Sequence, residues 1–147
     1  MSKEKNEKQN AIFFHVSEQE LSPSESKYEN VANIKNYEDN SIDNIILQDT
    51  CDYLVANDIK TMIDAMHTKL KNNGKIYLQG SDMKQLCVAV TFDMVAESII
   101  KKVLYPNKKS IHNMGEIIAL LKDSGFKIIV KKYINVFEYY IEAVKNA

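Results

Sequence analysis

Asn40-Ser41-Ile42-Asp43-Asn44-Ile45-Ile46-Leu47-Gln48-Asp49-Thr50-Cys51-Asp52-Tyr53-Leu54 passes from turn chemistry through a short apolar run into acids, a hydroxyl, a thiol and a phenol. The run is too short for a buried helix and is bounded by polar residues. It predicts a central strand over residues 42–48 of a parallel sheet. In open α/β sheets ligands sit at the carboxyl ends of such strands, so the polar residues that follow mark a candidate crevice.

Working outward, Asn57 or Asp58 is placed to cap a helix whose stripe is Ile59, Met62, Ile63, Met66 and Leu70. Asn72-Asn73-Gly74 reads as its end, followed by a buried strand over residues 75–79. Ser81 or Asp82 opens a helical segment to about residue 104, apolar on more than one face and so expected to be buried, with Tyr105-Pro106-Asn107 as its stop. Asn113 and Glu116 form a capping-box pattern for a helix through Lys122, closed by Gly125. Residues 126–132 and 134–143 read as two antiparallel strands. Upstream, residues 1–10 have no apolar periodicity and read as a disordered tail. Residues 11–16 read as a strand, 17–27 as a loop broken by Pro23, and 28–34 as a second short strand. Residues 11–147 thus form one domain.

Hydrophobic content of 45% and charged content of 27% over 147 residues fit one globular domain. The net charge of −1 gives no argument for nucleic acid or membrane as a partner. Its distribution is uneven: residues 1–58 hold 12 acids and 5 lysines, and residues 59–147 hold 8 acids and 14 lysines. That asymmetry suits self-association, and equally two solvated faces that differ. Every cation is a lysine, so no guanidinium fork is present for phosphate or carboxylate. Heavy use of Asn, Lys and Ile fits a bacterial or phage genome. Cys51 and Cys87 show no metal spacing and are expected as reduced, buried thiols. His15, His67 and His112 share no ligand spacing, so no metal site is expected. No signal-like run and no stretch of about 18 apolar residues occurs, which reads as a soluble, cytoplasmic protein.

The order of elements and four local motifs resemble the C-terminal two thirds of a class I S-adenosylmethionine-dependent methyltransferase, closest to the methyltransferase type 11 group. The motifs are Asp39-Asn40-Ser41-Ile42-Asp43 before the fourth strand, Cys51-Asp52-Tyr53-Leu54 after it, Leu70-Lys71-Asn72-Asn73-Gly74 before the next strand, and Leu120-Leu121-Lys122-Asp123-Ser124-Gly125-Phe126 before the final hairpin. The resemblance implies a Rossmann-like α/β fold, a mostly parallel sheet with a C-terminal antiparallel hairpin, shortened in its N-terminal half. It departs from the family where the cofactor is held. The family has a Gly-rich loop after its first strand, whereas the four glycines here are Gly74, Gly80, Gly115 and Gly125. Either the first strand and its helix are gone, or residues 11–16 take the first strand's place with a glycine-free loop behind them.

By the resemblance, the cofactor-binding candidates are Glu18 for the ribose, Asn33 for the adenine, and Gln48, Asp49 and Asp52 at the strand end. No catalytic residue is assigned. Paired carboxylates at a strand end suit a base or a cationic ligand, and equally a solvated end with a helix-capping role. Asp43 is expected to hold the base of the strand, Tyr53 to pack at the rim, and Asp82 to act as an N-cap. Cys51 is expected as a structural thiol and His67 as helix packing. Lys108 and Lys109 read as a solvated loop. Two functions follow. One is a degenerate methyltransferase-like module, without complete S-adenosylmethionine binding, serving as a binding or assembly protein in a homo-oligomer or beside a catalytic partner. The other is an active methyltransferase on a small molecule or glycan.

Overall fold

The apolar run at the centre of the chain forms β3 (Ile42–Gln48), whose inward residues Ile42, Ile45 and Leu47 are buried. The computed structural model describes residues 11–16, 27–104 and 111–146. The expected tail at residues 1–10, Glu18 and most of its loop, the helix stop at 105–107, and Lys108 and Lys109 lie outside the described residues.

Six strands form one sheet in the order β2-β1-β3-β4-β6-β5, with β1 (Ala11–His15), β2 (Lys27–Asn30), β4 (Leu70–Ser81), β5 (Phe126–Tyr133) and β6 (Glu138–Lys145). β2, β1, β3 and β4 pair in parallel, and β6 lies antiparallel to both β4 and β5. This is the Rossmann-like methyltransferase sheet with its antiparallel hairpin. Residues 11–16 pair directly with β3, so they occupy the first strand's position.

One face of the sheet carries the core. Phe14, Ile45, Leu47, Ile76, Leu78, Tyr139, Ile141 and Ala143 pack under α1 (Ala56–Lys69) and α4 (Met114–Asp123). The helices meet them with Ile59, Met62, Ile63 and Met66 from α1 and Ile117 and Leu121 from α4. Burying a side chain of this kind contributes about 1.5–3 kcal/mol. The stripe read from the sequence is therefore the core, and the Asn113–Glu116 capping box is present in both directions. Gly125 follows α4 at φ 96°, a conformation that favours glycine.

Several expectations need correction. Residues 28–34 are not one strand: β2 ends at Asn30, whose side chain accepts from Ala32 N–H and starts a 3-10 helix, Val31–Asn36, that tucks Ile34 into the core. Helix α1 begins at Ala56 with Val55 at the N-cap position, so Asn57 and Asp58 lie inside its first turn. It ends at Lys69 rather than at residues 72–74. Asn40 and Ser41 donate backbone N–H groups to the Thr68 and Lys69 carbonyls, and Leu70 pairs with Ile42. The motif before β3 is thus a clamp on the end of α1, strengthened by an Asp39–Lys69 contact of 2.7 Å. Residues 71–74 bulge from β4. The segment to residue 104 is two helices, α2 (Met83–Thr91) and α3 (Glu97–Leu104), interrupted where Asp93 turns to φ 49°. Its outer face is exposed, not buried, and Cys87 with it. Finally, β6 starts at Glu138, because the Asn135 side chain accepts from Phe137 and Glu138 N–H and makes the turn itself. No helix among the described residues is long and apolar enough to cross a membrane.

His67 has the packing role expected of it, and a consequence for stability. Its ring meets Phe126 edge-on at 5.0 Å, and its buried Nε2 faces the Gly125 backbone without a hydrogen bond of ordinary geometry among the described residues. Burial, then the charge of Lys145, holds its pKa below the ordinary histidine value. A base with a depressed folded pKa binds fewer protons folded than unfolded, so its stabilisation is complete above the unfolded pKa of about 6.5 and declines as pH falls through that value. Urea midpoints are expected to drop between about pH 7 and pH 5 in the native protein. In His67→Gln that drop should largely vanish; an equal drop in both proteins removes His67 as its source.

Candidate functional site

The chain runs from β1 outward to β2 and then crosses back to β3, so the sheet's switch point lies between β1 and β3. Their carboxyl ends are where a ligand of this fold class belongs. At that end Asp49 takes a left-handed conformation, φ 58°, and its N–H donates to the Gln79 carbonyl at 2.8 Å. A 3-10 helix, Thr50–Tyr53, follows at once with all four side chains buried. The Thr50 hydroxyl donates to the Phe14 carbonyl at 2.9 Å, tying β3 to β1 across the switch point.

Behind this tie lies a closed polar cluster. Asp52 is 1% exposed, and its Oδ1 accepts from Ser81 N–H at 3.3 Å. Gly80 sits against it, with Tyr139 crossing on the other side: a Cβ on Gly80 would lie 2.5 Å from the Tyr139 hydroxyl and 3.1 Å from Asp52 Oδ1. The Tyr139 hydroxyl is fully buried and makes no hydrogen bond of ordinary geometry among the described residues. Burial, then the neighbouring Cys51 and acids, push its pKa well up. Burial and the Asp52 charge push the Cys51 thiol to about 12, so it stays protonated and unreactive, as a structural thiol does.

Asp82 adds a second buried carboxylate, 0% exposed. Its Oδ1 accepts from Gln85 N–H at 3.0 Å as the α2 cap, and its Oδ2 accepts from Met114 N–H at 2.7 Å and the Tyr133 hydroxyl at 3.0 Å. Burial, then this bond and the Asp82 charge, raise the Tyr133 pKa. The expected cap is therefore a junction joining β4, α2, α4 and β5. Beside it, His112 directs Nε2 to the Leu54 carbonyl at 3.1 Å.

Asp49 and Asp52 are brought together here, both close enough to act on Tyr139 and Cys51. Gln48 is not with them. It lies on the opposite face of the sheet, lining a cavity of about 170 Å³ with Gln79, Phe13, Ile46, Tyr77 and Tyr140. Asn33 sits in the 3-10 helix after β2 and donates to Glu29 Oε1. Tyr53 is buried rather than at a rim, and Asp43 is half exposed in a 2.8 Å contact with Lys71. Tyr133 and Tyr139 escaped the sequence reading, since a strand tyrosine carries no mark of which groups it will face. Among the described residues no three His, Cys, Asp or Glu side chains are grouped to hold a metal.

The acids around this end of the sheet already have partners within the chain. Asp52 and Asp82 are turned onto backbone amides, and Glu29 at the end of β2 accepts from Asn33 and from Tyr37 at 3.3 Å.

No family model and no curated protein matches the sequence. Solved structures do match the fold. A SAM-dependent methyltransferase from Methanosarcina mazei superposes with a TM-score of 0.63 at 16% identity, over 99% of this chain and 87% of that one. One from Archaeoglobus fulgidus gives 0.64 at 12%, over 92% and 85%. A protein described as a possible exported protein of Bordetella parapertussis gives 0.65 at 10%, over 83% of this chain, which spans 44% of that protein's length. Sheet order, C-terminal hairpin and these neighbours agree: the chain has the fold of the class I S-adenosylmethionine-dependent methyltransferases.

Proposed function

We propose that this chain is a methyltransferase-fold module that acts through protein contacts, as a binding or assembly component, and does not hold S-adenosylmethionine on its own. The observation that carries the reading is the Thr50 hydroxyl bound to the Phe14 carbonyl, a tie across the switch point where the cofactor would enter. Two features support it. Asp52 is committed to the Ser81 amide, and the sequence between β1 and β2 contains no glycine. A buried carboxylate released from such a bond costs more than an exposed one, so the cluster resists rearrangement around a ligand.

Titration calorimetry with S-adenosylhomocysteine tests this directly. No heat is expected at micromolar protein and millimolar ligand. Saturable binding in the micromolar range, weakened by Asp52→Asn, would overturn the reading and restore an active methyltransferase as the better account.

A further inference from the structure

Strand β5 ends the sheet, so its outer side meets no other strand among the described residues. A groove of about 480 Å³ lies between this edge and α4. Ile118 and Lys122, one turn apart, line it from the helix, and Lys127, Ile128, Ile129 and Lys131 line it from the strand. A bulge shapes it. Ile128 pairs with Ala143 and Val130 with Glu142, which leaves Ile129 as the extra residue. Without the bulge, alternation from Ile128 would turn Lys131 to the far face. With it, Lys131 pairs with Ile141, a core residue, and so takes the face that α4 covers. Lys122, Lys127 and Lys131 are exposed. Among the described residues none of the three is in an ion pair, and no acid lines the groove.

We propose that this groove takes an extended acidic segment of a partner protein, which adds to the sheet as a strand beside β5. The proposal rests on the reading above that the chain acts through protein contacts, and it names the chemistry of the contact. Charge selects the occupant. β5 holds three lysines and no acid, so a second copy of it would set cation against cation. The same lysines favour a strand of opposite charge. They are also spread along the edge: Lys127 and Lys131 stand four residues apart, roughly 12–13 Å on an extended chain, which suits a row of carboxylates better than one small anion. Lys132 continues the row on the far face, 5.3 Å from the centre of the Tyr140 ring. Nucleic acid fits less well. Its bases need aromatic rings to stack on, and the groove's one aromatic residue, Phe126, is buried. Ile118, Ile128 and Ile129 instead offer contact to aliphatic side chains of a peptide. In strand addition, main-chain hydrogen bonds supply affinity and the side chains supply selectivity.

Fluorescence anisotropy of a labelled peptide, Glu-Glu-Ile-Glu-Glu-Ile-Glu-Glu, titrated with the full chain, is the experiment. Saturable binding is expected at or below about 100 µM protein in low salt, weakening at least about 5-fold in about 300 mM salt. Lys122→Glu combined with Lys131→Glu should weaken it more than about 10-fold with the circular dichroism unchanged, since both side chains are on the surface. The same peptide with every backbone amide N-methylated keeps its charges but has no N–H to donate to β5, and should also lose at least about 10-fold. Failure here is distinct from failure of the reading above: heat with S-adenosylhomocysteine overturns that reading, whereas a silent peptide overturns only the groove. No peptide binding up to about 1 mM would overturn the proposal. So would equal binding of the N-methylated peptide, indifference to the two lysine substitutions, or tighter binding of a labelled oligothymidylate of equal charge.

Discussion

Asp82→Ala is expected to lose about 3–5 kcal/mol of folding stability, because hydrogen bonds to a charged group contribute about 1.5–3 kcal/mol each and more than one is lost. Three donors converge on this one carboxylate: Gln85 N–H, Met114 N–H and the Tyr133 hydroxyl. Alanine leaves all three without this acceptor; Tyr133, 42% exposed, can turn its hydroxyl to water, while each donor left stranded out of water costs about 1–3 kcal/mol. The helix starts at α2 and α4 lose their common anchor together, so denaturant unfolding should shift its midpoint without splitting into two transitions. Asp82→Asn keeps an acceptor for Gln85 but turns a donor toward Met114 N–H, and should recover only part of the loss. A change below about 1 kcal/mol for Asp82→Ala would mean that the junction is not held by this side chain.

Gly80→Ala should cost about 2–3 kcal/mol, at the upper end for overpacking, because the added methyl meets a side chain that cannot retreat. Its Cβ would lie 2.5 Å from the Tyr139 hydroxyl and 2.8 Å from Cζ, and Tyr139 is fully enclosed in the core. The pair supplies its own control. The Tyr139 hydroxyl makes no hydrogen bond of ordinary geometry among the described residues, and the Cys51 thiol beside it is a weak partner, so Tyr139→Phe alone should be near neutral. In the Tyr139→Phe background the nearest collision is gone and Gly80→Ala should cost roughly half as much, a coupling that a double-mutant cycle resolves. Additive effects would place the strain elsewhere.

Local patterns carried most of the architecture. β3, the α1 stripe, the capping box and the Gly125 cap are each set by contacts between near neighbours, and such contacts leave a period or a spacing in the sequence. The elements that moved did so for both non-local and local reasons. Helix α1 stops at Lys69 because Asn40 and Ser41, far back in the chain, take its last carbonyls. The 3-10 helix after β2 follows instead from a local cap, the Asn30 side chain accepting from Ala32 N–H, a choice that strand propensity does not register. For α2 the composition was read correctly as two-sided and apolar; what it could not convey was that only one of those sides meets the rest of its own chain.

The candidate site divides in the same way. Asp49 and Asp52 were legible because acids that follow an apolar strand stand out. Which face each neighbour takes is decided by one backbone turn, Asp49 at φ 58°, which sends Asp52 into the core while Gln48 stays on the opposite face of the sheet. By itself the sequence determined the strand order's raw material, the missing glycines and the acids at the end of β3, since these are matters of residue type and spacing. Only the tertiary structure decided that the first strand's place is filled and tied to Thr50, and that Asp52 is enclosed against the Ser81 amide. Those outcomes depend on groups 29 to 36 residues apart meeting in space, and no periodicity encodes such a meeting.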